Sequence, residues 1–156
     1  MEWKWTVEAV IALAALALSI LSFYKSYKAS SLANNLTNES NMLTKGQVEL
    51  QIREMISSAK YRYTEIGCKF LEDTKKAKDY ANHFIEAAYE DVLNAYDEAC
   101  TKYLDDKIDK ERFKKTYYNE IKNLVECEDT KASYVPPQTR YKATLKVYNE
   151  WFDMES

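Results

Sequence analysis

Residues 9–23 read AVIALAALALSILSF, a run of fifteen residues with no charge and two serines. This run alone is shorter than the roughly 20 apolar residues that a membrane-spanning helix needs. Two tryptophans precede it and two tyrosines follow it, and such aromatic residues are typical of the two faces of a bilayer. From Trp3 to Tyr24 a helix would be about 33 Å long, which is enough to cross. The sequence therefore predicts a transmembrane anchor over residues 1–28.

Two other interpretations of this stretch stay open. The first is a cleaved signal peptide, for which Ser31-Leu32-Ala33 would be an acceptable cleavage site. However, the leading residues carry Glu2 and Glu8 against Lys4, whereas a signal peptide begins with positive charge. The second is the buried core helix of a globular protein, which the flanking aromatic residues disfavour.

The lysines around the apolar run predict its orientation. Lys25, Lys28 and Lys45 follow it, while Lys4 alone precedes it. An excess of lysine marks the cytoplasmic side of a span. We therefore expect a single-pass protein of the inner membrane with the bulk of the chain in the cytoplasm.

Small residues follow each other along one side of the predicted span, at alternating steps of three and four. They are Ala12, Ala15, Ser19, Ser22 and Ser26. Small side chains let membrane helices approach closely, and serine hydroxyls can bond across the contact. The stripe predicts self-association in the membrane and hence a homo-oligomer, although an alanine-rich span can also carry such a stripe by chance.

Composition indicates what the rest of the chain can be. The chain has only two glycines and two prolines among 156 residues, and these are the residues that most often form turns. The composition therefore favours long helices over short strands. A net charge of −3 is not the balance of a protein that binds duplex nucleic acid. The odd number and wide spacing of the cysteines do not suggest a disulfide framework; they are Cys68, Cys100 and Cys127.

Residues 29–43 are rich in asparagine and serine and predict a juxtamembrane stalk of mixed order. Leu36, Leu43 and Leu50 are seven residues apart, so a loose coiled stalk is conceivable. The residues between them, Ala33, Ser40 and Gln47, would form a poor second row.

Residues 44–156 predict a cytoplasmic helical domain, and the whole chain is expected to be all-α. A capping box at Thr44–Gln47 should open the first helix, with a possible bend at Gly67, and Asp109 should cap the third. A loop is expected from Cys127 to Pro137, and Thr139 should open the last helix.

Apolar residues recur at helical spacing in four segments: Val48, Ile52, Met55, Ala59, Tyr63, Ile66 and Phe70; Tyr80, Phe84, Ala88, Val92, Ala95, Ala99 and Tyr103; Phe113, Tyr117, Ile121 and Leu124; and Tyr141, Leu145, Tyr148 and Phe152. Helices with short links predict a bundle.

The sequence offers little for catalysis, and we expect neither an enzyme nor a cofactor. The single histidine, His83, is interpreted as structural. No set of residues has metal-ligand spacing, and with only Gly46 and Gly67 in the chain there is no glycine-rich phosphate loop. A solvated acidic helix face is predicted from four carboxylates: Glu86, Glu90, Asp91 and Glu98.

Binding of an anion or a nucleotide is the sharper hypothesis, because cations alternate with tyrosines in three places. Bases stack on aromatic rings while cations hold phosphates, and a helix N-terminus near Thr139 would favour an anion. Equally, Tyr63, Tyr117 and Tyr141 lie on the apolar stripes and could be core residues whose neighbouring cations point to water. The candidate ligand-binding residues are Lys60, Arg62, Lys114, Lys115, Thr139, Arg140 and Lys142.

The stretch from Val92 to Cys100, VLNAYDEAC, followed by Tyr103 to Phe113, YLDDKIDKERF, is similar to a helix-turn-helix segment of bacterial single-span membrane families. The expected architecture, an N-terminal span followed by a cytoplasmic helical domain, resembles that of small bacterial membrane proteins found among phage-defence genes. Some of these proteins are ancillary effectors of type III CRISPR systems that cyclic oligoadenylate activates. The similar stretch, residues 92–113, is 22 of the 156 residues and assigns a role to no residue.

This resemblance implies a membrane-anchored effector or sensor of antiviral defence, in which a nucleotide second messenger binds the cytoplasmic domain and rearranges the spans of an oligomer. One rival interpretation is a passive membrane tether that docks a protein partner through exposed tyrosines such as Tyr61 and Tyr118. Another is a phage lysis protein that bridges the envelope, which would need the domain outside the cytoplasm.

Overall fold

The computed structural model describes residues 2–71 and 78–152, with the side chains of residues 7–69 and 82–152. Four α-helices follow one another: α1 (Glu2–Leu71), α2 (Lys78–Leu104), α3 (Lys110–Glu126) and α4 (Lys142–Phe152), with a 3₁₀ helix at Lys131–Tyr134 before α4. Within the described ranges there is no β-strand. The prediction of an all-α protein is confirmed.

The chain divides into two units, Met1–Leu43 and Thr44–Ser156. In the first unit, the described apolar side chains of α1 are exposed to an extent unusual for a soluble protein: Leu18 is 67 % exposed and Phe23 is 75 % exposed. Its most apolar 18-residue window has a mean hydropathy of 2.1 and no buried residue. By length and composition, this helix could span a membrane.

The helix continues through residues 29–43, so the expectation of a stalk of mixed order was wrong. It also continues through the expected start at Thr44 and through Gly67 to Leu71. The physical reason is the absence of proline from residues 2–71. Serine, asparagine and threonine lower helix propensity only slightly and do not end a helix that is already formed.

In the second unit, residues 44–71 of α1 pack with the other three helices around one apolar core. Buried residues come from all four helices, and Trp151 on α4 contacts the rings of Tyr103 on α2 and Phe113 on α3, with centroid distances of 5.5 and 6.1 Å. The members of this core are Ile52, Ile56, Ala59, Val92, Ala95, Tyr96, Ala99, Cys100, Tyr103, Ile108, Phe113, Ile121, Val147 and Trp151.

Asp109 caps α3, as predicted. Its side chain accepts a hydrogen bond of 3.0 Å from the backbone amide of Arg112, which satisfies one of the free donors of the first turn. Glu49 on α1 adds a second carboxylate here, because it accepts from the amide of Asp109 at 3.0 Å and lies 3.0 Å from the guanidinium of Arg112. Residues 44–71 and α3 are therefore joined by polar contacts as well as by the core.

Three details of the second half differ from the expectation. The segment from Cys127 to Pro137 contains the 3₁₀ helix, which buries Tyr134, and α4 begins at Lys142 and not at Thr139. The face of α4 that is buried carries Thr144, Val147 and Trp151. Two of the expected stripe residues, Phe70 and Tyr80, have side chains outside the described set.

Candidate anion-binding site

Three of the predicted ligand-binding cations are already paired with carboxylates of another helix. Lys60 lies 3.0 Å from Glu120, Arg62 lies 2.8 Å from Asp91, and Arg140 lies 3.3 Å from Glu90. These pairs are exposed, so each contributes little to stability. They nevertheless neutralise the charge that an anionic ligand would need.

Lys60 also belongs to a partly buried cluster with Tyr96 and Glu120. The Tyr96 hydroxyl donates a hydrogen bond to the Glu120 carboxylate, and the Lys60 Nζ lies 5.4 Å from the centroid of the Tyr96 ring. Burial, and then the bond to Glu120, raise the pKa of Tyr96 far above its usual range. The cluster joins three helices, and it has the features of a structural contact.

The N-terminus of α4, where an anion was expected, is occupied by a carboxylate of the chain itself. Asp97 on α2 accepts hydrogen bonds from the Thr144 amide at 2.9 Å and from the Thr144 hydroxyl at 3.1 Å. The Thr139 hydroxyl oxygen accepts from the amide of Tyr141 at 3.0 Å, and Lys142 is exposed. The favourable end of the helix dipole therefore already has a negative partner.

Two clefts bring predicted cations together. The first, of about 560 Å³, contains Arg62 and Arg140. Three carboxylates, those of Asp91, Asp97 and Glu98, line it as well, and we refer to it as the acidic cleft. An anion entering it would meet more negative than positive charge.

The second cleft, of about 500 Å³, lies along α3 and contains Lys110, Lys114 and Lys115. We refer to it as the lysine cleft. None of the three lysines forms an ion pair with any of the residues that the structure describes. Its other lining residues are Tyr103, Glu111, Tyr118, Glu150 and Trp151.

Two of the three lysines of this cleft, Lys110 and Lys114, lie over aromatic rings. The Nζ atom of Lys114 is 5.9 Å from the ring centroid of Tyr118 and 5.8 Å from that of Trp151. The Nζ atom of Lys110 is 5.0 Å from the ring centroid of Tyr103. Spacing of four residues puts Lys110, Lys114 and Tyr118 on one face of α3.

The floor of the lysine cleft is fixed by packing and hydrogen bonds. Trp151 is 2 % exposed and Tyr103 is 4 % exposed. The Trp151 indole donates to the Tyr103 hydroxyl at 3.1 Å, and that hydroxyl donates to Glu150 at 2.7 Å. Burial raises the pKa of Tyr103, so it stays a neutral donor at ordinary pH.

Of the residues that line the lysine cleft, the sequence-based hypothesis includes Lys114 and Lys115 but not Lys110 or Trp151. The spacing of Lys110, Lys114 and Tyr118 was visible in the sequence. The approach of Trp151 from α4 was not visible, because it depends on which face of α4 is buried.

The small residues predicted for self-association lie exposed on α1: Ala12, Ala15, Ser19 and Ser22. The side chain of His83 is 91 % exposed, so it is not a core residue. All three cysteines are free, and burial raises the pKa of Cys100 to about 12. In the described ranges no cluster of histidine, cysteine or carboxylate side chains could hold a metal ion.

Comparison with known protein families, with curated proteins and with solved structures finds no match to this chain.

Proposed function

We propose that this protein is a membrane-anchored helical effector or sensor that works as a homo-oligomer. The observation that carries the proposal is the N-terminal part of α1, in which Val10, Leu13 and Leu18 are 65, 66 and 67 % exposed in a helix with no compensating charge between residues 9 and 23. Contiguous apolar surface of this kind requires cover by lipid or protein. Its length suits a bilayer.

The lysine excess after residue 23 supports an orientation in which residues 44–156 are cytoplasmic. In bacteria this corresponds to a single-pass protein of the inner membrane. Protease treatment of inverted vesicles should then digest the helical domain, whereas vesicles of native orientation should protect it.

Self-association is supported by a continuous seam on α1. The stripe of small residues continues beyond Ser26 with the same alternating spacing of three and four residues. It reaches Leu36 and Leu43, which are 56 and 71 % exposed. Alternating steps of three and four residues are the repeat of a left-handed coiled coil, and copies inserted with one orientation would pair in parallel. The seam consists of Ala12, Ala15, Ser19, Ser22, Ser26, Ala29, Ala33, Leu36, Ser40 and Leu43.

In the proposed mechanism, ligand binding to the helical domain changes how the spans pack. The ligand must bind one arrangement of the oligomer more tightly than the other, since a ligand with equal affinity for both arrangements does not change their populations. Small residues along the seam allow close approach in more than one packing. A role in bacterial antiviral defence is the proposal that the resemblance in architecture, one N-terminal span followed by a helical domain, supports.

Membrane anchoring is tested by alkaline extraction of membranes that contain the full-length protein. We expect the wild type to stay in the membrane pellet and Leu16→Arg to be extracted, because arginine at a span centre costs about 2.5–3.5 kcal/mol. Thr37→Arg, beyond the apolar run, is the matched control and should stay in the pellet. Extraction of the wild type would contradict the proposal.

Ligand response is tested by dye leakage from liposomes that carry the full-length protein, together with crosslinking of Ser26→Cys in a background with Cys68 and Cys127 replaced by serine. We expect nucleotide addition to change both the leakage and the crosslinking yield. Leakage and crosslinking that never depend on an added ligand would leave only the alternative function.

That alternative is a passive tether that docks a protein partner. Tyr61, which is 71 % exposed on α1, favours it, because tyrosine is enriched at protein interfaces. Tyr118, the other tyrosine considered for such a contact, is partly buried and stacks on Trp151 with a centroid distance of 6.2 Å. Tyr61→Ala should then abolish partner capture without any effect on membrane retention.

A further inference from the structure

We propose that the lysine cleft is the ligand site of the helical domain and that it binds the phosphate groups of a small ligand through Lys110, Lys114 and Lys115. This inference rests on the proposed function, because it names the site and the ligand chemistry that a ligand-responsive effector requires. Of the candidate ligand-binding residues predicted from the sequence, it retains Lys114 and Lys115 and leaves out the cations Lys60, Arg62, Arg140 and Lys142 and the neutral Thr139.

The two clefts differ in the charge that they present to an anion. In the acidic cleft, Arg62 and Arg140 share the lining with three carboxylates and are each paired with one carboxylate. In the lysine cleft, three lysines share the lining with Glu111 and Glu150. Glu150 is engaged by the Tyr103 hydroxyl, which reduces the negative potential that it presents to the cleft.

Aromatic rings position two lysines of the lysine cleft. A lysine without a carboxylate partner usually extends into water, yet Lys110 and Lys114 lie over the rings of Tyr103, Tyr118 and Trp151. Attraction to a ring face positions an ammonium without consuming its hydrogen-bond donors. Both ammonium groups are thereby confined near one cleft before a ligand arrives, which lowers the entropic cost of binding.

The residues and the size of the lysine cleft favour a small ligand that carries phosphate groups. Lysine is a compact point charge that suits phosphate without demanding the planar geometry of a carboxylate–arginine pair. A volume of about 500 Å³ lies in the range of small-molecule sites, and the net charge of −3 disfavours a nucleic-acid duplex. The partly exposed ring of Tyr118 adds a surface for a base or another flat group.

Phosphate of this kind could come from a soluble nucleotide or from an anionic lipid headgroup. Both sources are tested with the full-length protein in nanodiscs, in the variant Trp3→Phe/Trp5→Phe, which leaves Trp151 as the single tryptophan and therefore as a fluorescent probe of the cleft. In the first arm, pyrophosphate and then ATP are added to protein in zwitterionic nanodiscs. In the second arm, the nanodiscs contain phosphatidic acid and no soluble phosphate is added.

We expect a saturable change in Trp151 fluorescence that weakens as salt is raised, because salt screens exposed charges. Lys110→Gln/Lys114→Gln/Lys115→Gln should weaken the apparent affinity by about tenfold or more. The matched control, Arg62→Gln/Arg140→Gln/Lys142→Gln, removes the same charge from the other predicted cations and should bind like the wild type. Lys115→Glu, at an exposed position, checks the result if the triple variant is unfolded by circular dichroism.

A response in the first arm assigns the site to soluble phosphates, and a response in the second arm alone assigns it to lipid headgroups. No saturable response in either arm, or a response lost in the control triple and kept in the lysine triple, would overturn the inference. Failure of the proposed function has a different signature: phosphate binding that depends on the three lysines but leaves the Ser26→Cys crosslinking between spans unchanged.

Discussion

Asp97 on α2 binds the first turn of α4 by accepting hydrogen bonds from both the amide and the hydroxyl of Thr144. Thr144 is 0 % exposed, so these two donors have no access to water. The carboxylate also complements the positive end of the α4 dipole. One residue thus satisfies a buried polar side chain, caps a helix and occupies the position in which an external anion was expected.

Replacing Asp97 by alanine should lower the free energy of unfolding by about 1–3 kcal/mol, because it leaves two buried donors without an acceptor. Asp97→Asn keeps an oxygen at the same position and should cost less than about 1 kcal/mol. The measurement is denaturant unfolding of the full-length protein in detergent, followed by circular dichroism. Equal destabilisation by the two variants would show that charge and not hydrogen bonding governs this contact.

Two buried tyrosines should respond in opposite ways to removal of their hydroxyl groups. Within the described residues, the Tyr134 hydroxyl is buried with no hydrogen-bond partner, whereas the Tyr96 hydroxyl donates to the Glu120 carboxylate. Tyr134→Phe should leave the free energy of unfolding unchanged or raise it by about 1 kcal/mol, and Tyr96→Phe should lower it by about 1.5–3 kcal/mol.

The same unfolding measurement compares these two variants, which remove the same atom from the same kind of residue. Each variant serves as the control for the other with respect to lost volume. Destabilisation of similar size in both would indicate that Tyr134 has a polar partner in solution.

The sequence was sufficient to predict the helical class, the apolar N-terminal helix and the cap at Asp109, because each depends on local chemistry. It was not sufficient for the buried face of α4. Counting apolar residues favours the side with Leu145 and Tyr148, but the structure buries Thr144, whose polar atoms are satisfied by Asp97 from another helix. A pattern of hydrophobicity cannot register a buried threonine whose partner lies 47 positions away.

The candidate site was predictable only in part for the same reason. The sequence identifies which cations stand beside tyrosines, but it does not show which of them find carboxylates after folding. Arg62 and Lys114 both have an aromatic residue next to them in the sequence. Only the tertiary structure pairs Arg62 with Asp91 and places Lys114 over aromatic rings.

Acid should weaken the start of α3 through Asp109. The hydrogen bond from the Arg112 amide lowers the pKa of Asp109 in the folded protein. A carboxyl whose folded pKa is lowered contributes stability that is complete above its unfolded pKa and is lost as the pH falls through the folded value. The contribution should therefore begin to decline at about pH 4, the unfolded pKa, and be lost as the pH falls through the lower pKa of the folded protein.

The check is the difference in thermal midpoint between wild type and Asp109→Asn, measured as a function of pH. Asparagine caps helices about as well as aspartate but carries no titrating charge. We expect the two midpoints to converge as the pH falls, while Asp109→Ala stays below both at neutral pH. A difference between wild type and Asp109→Asn that does not depend on pH would refute the assignment to Asp109.

The seam on α1 makes a directional prediction about the membrane segment. A bulky side chain in the seam should separate the spans, whereas the same side chain elsewhere on the helix should face lipid and have no effect. Ala15 lies in the seam, and Ala17 is two residues further on, about 200° around the helix. Ala15→Ile and Ala17→Ile therefore make the same change in composition on opposite faces.

The measurement is the mass of the detergent-solubilised particle, with crosslinking in membranes as a second readout. We expect Ala17→Ile to keep the mass of the wild type and Ala15→Ile to shift it toward the monomer. Because both variants raise the hydropathy of the span equally, loss of insertion cannot account for a difference between them. A wild-type particle that is already monomeric, or an equal loss of association in both variants, would remove the seam from the proposed mechanism and leave α1 as an anchor alone.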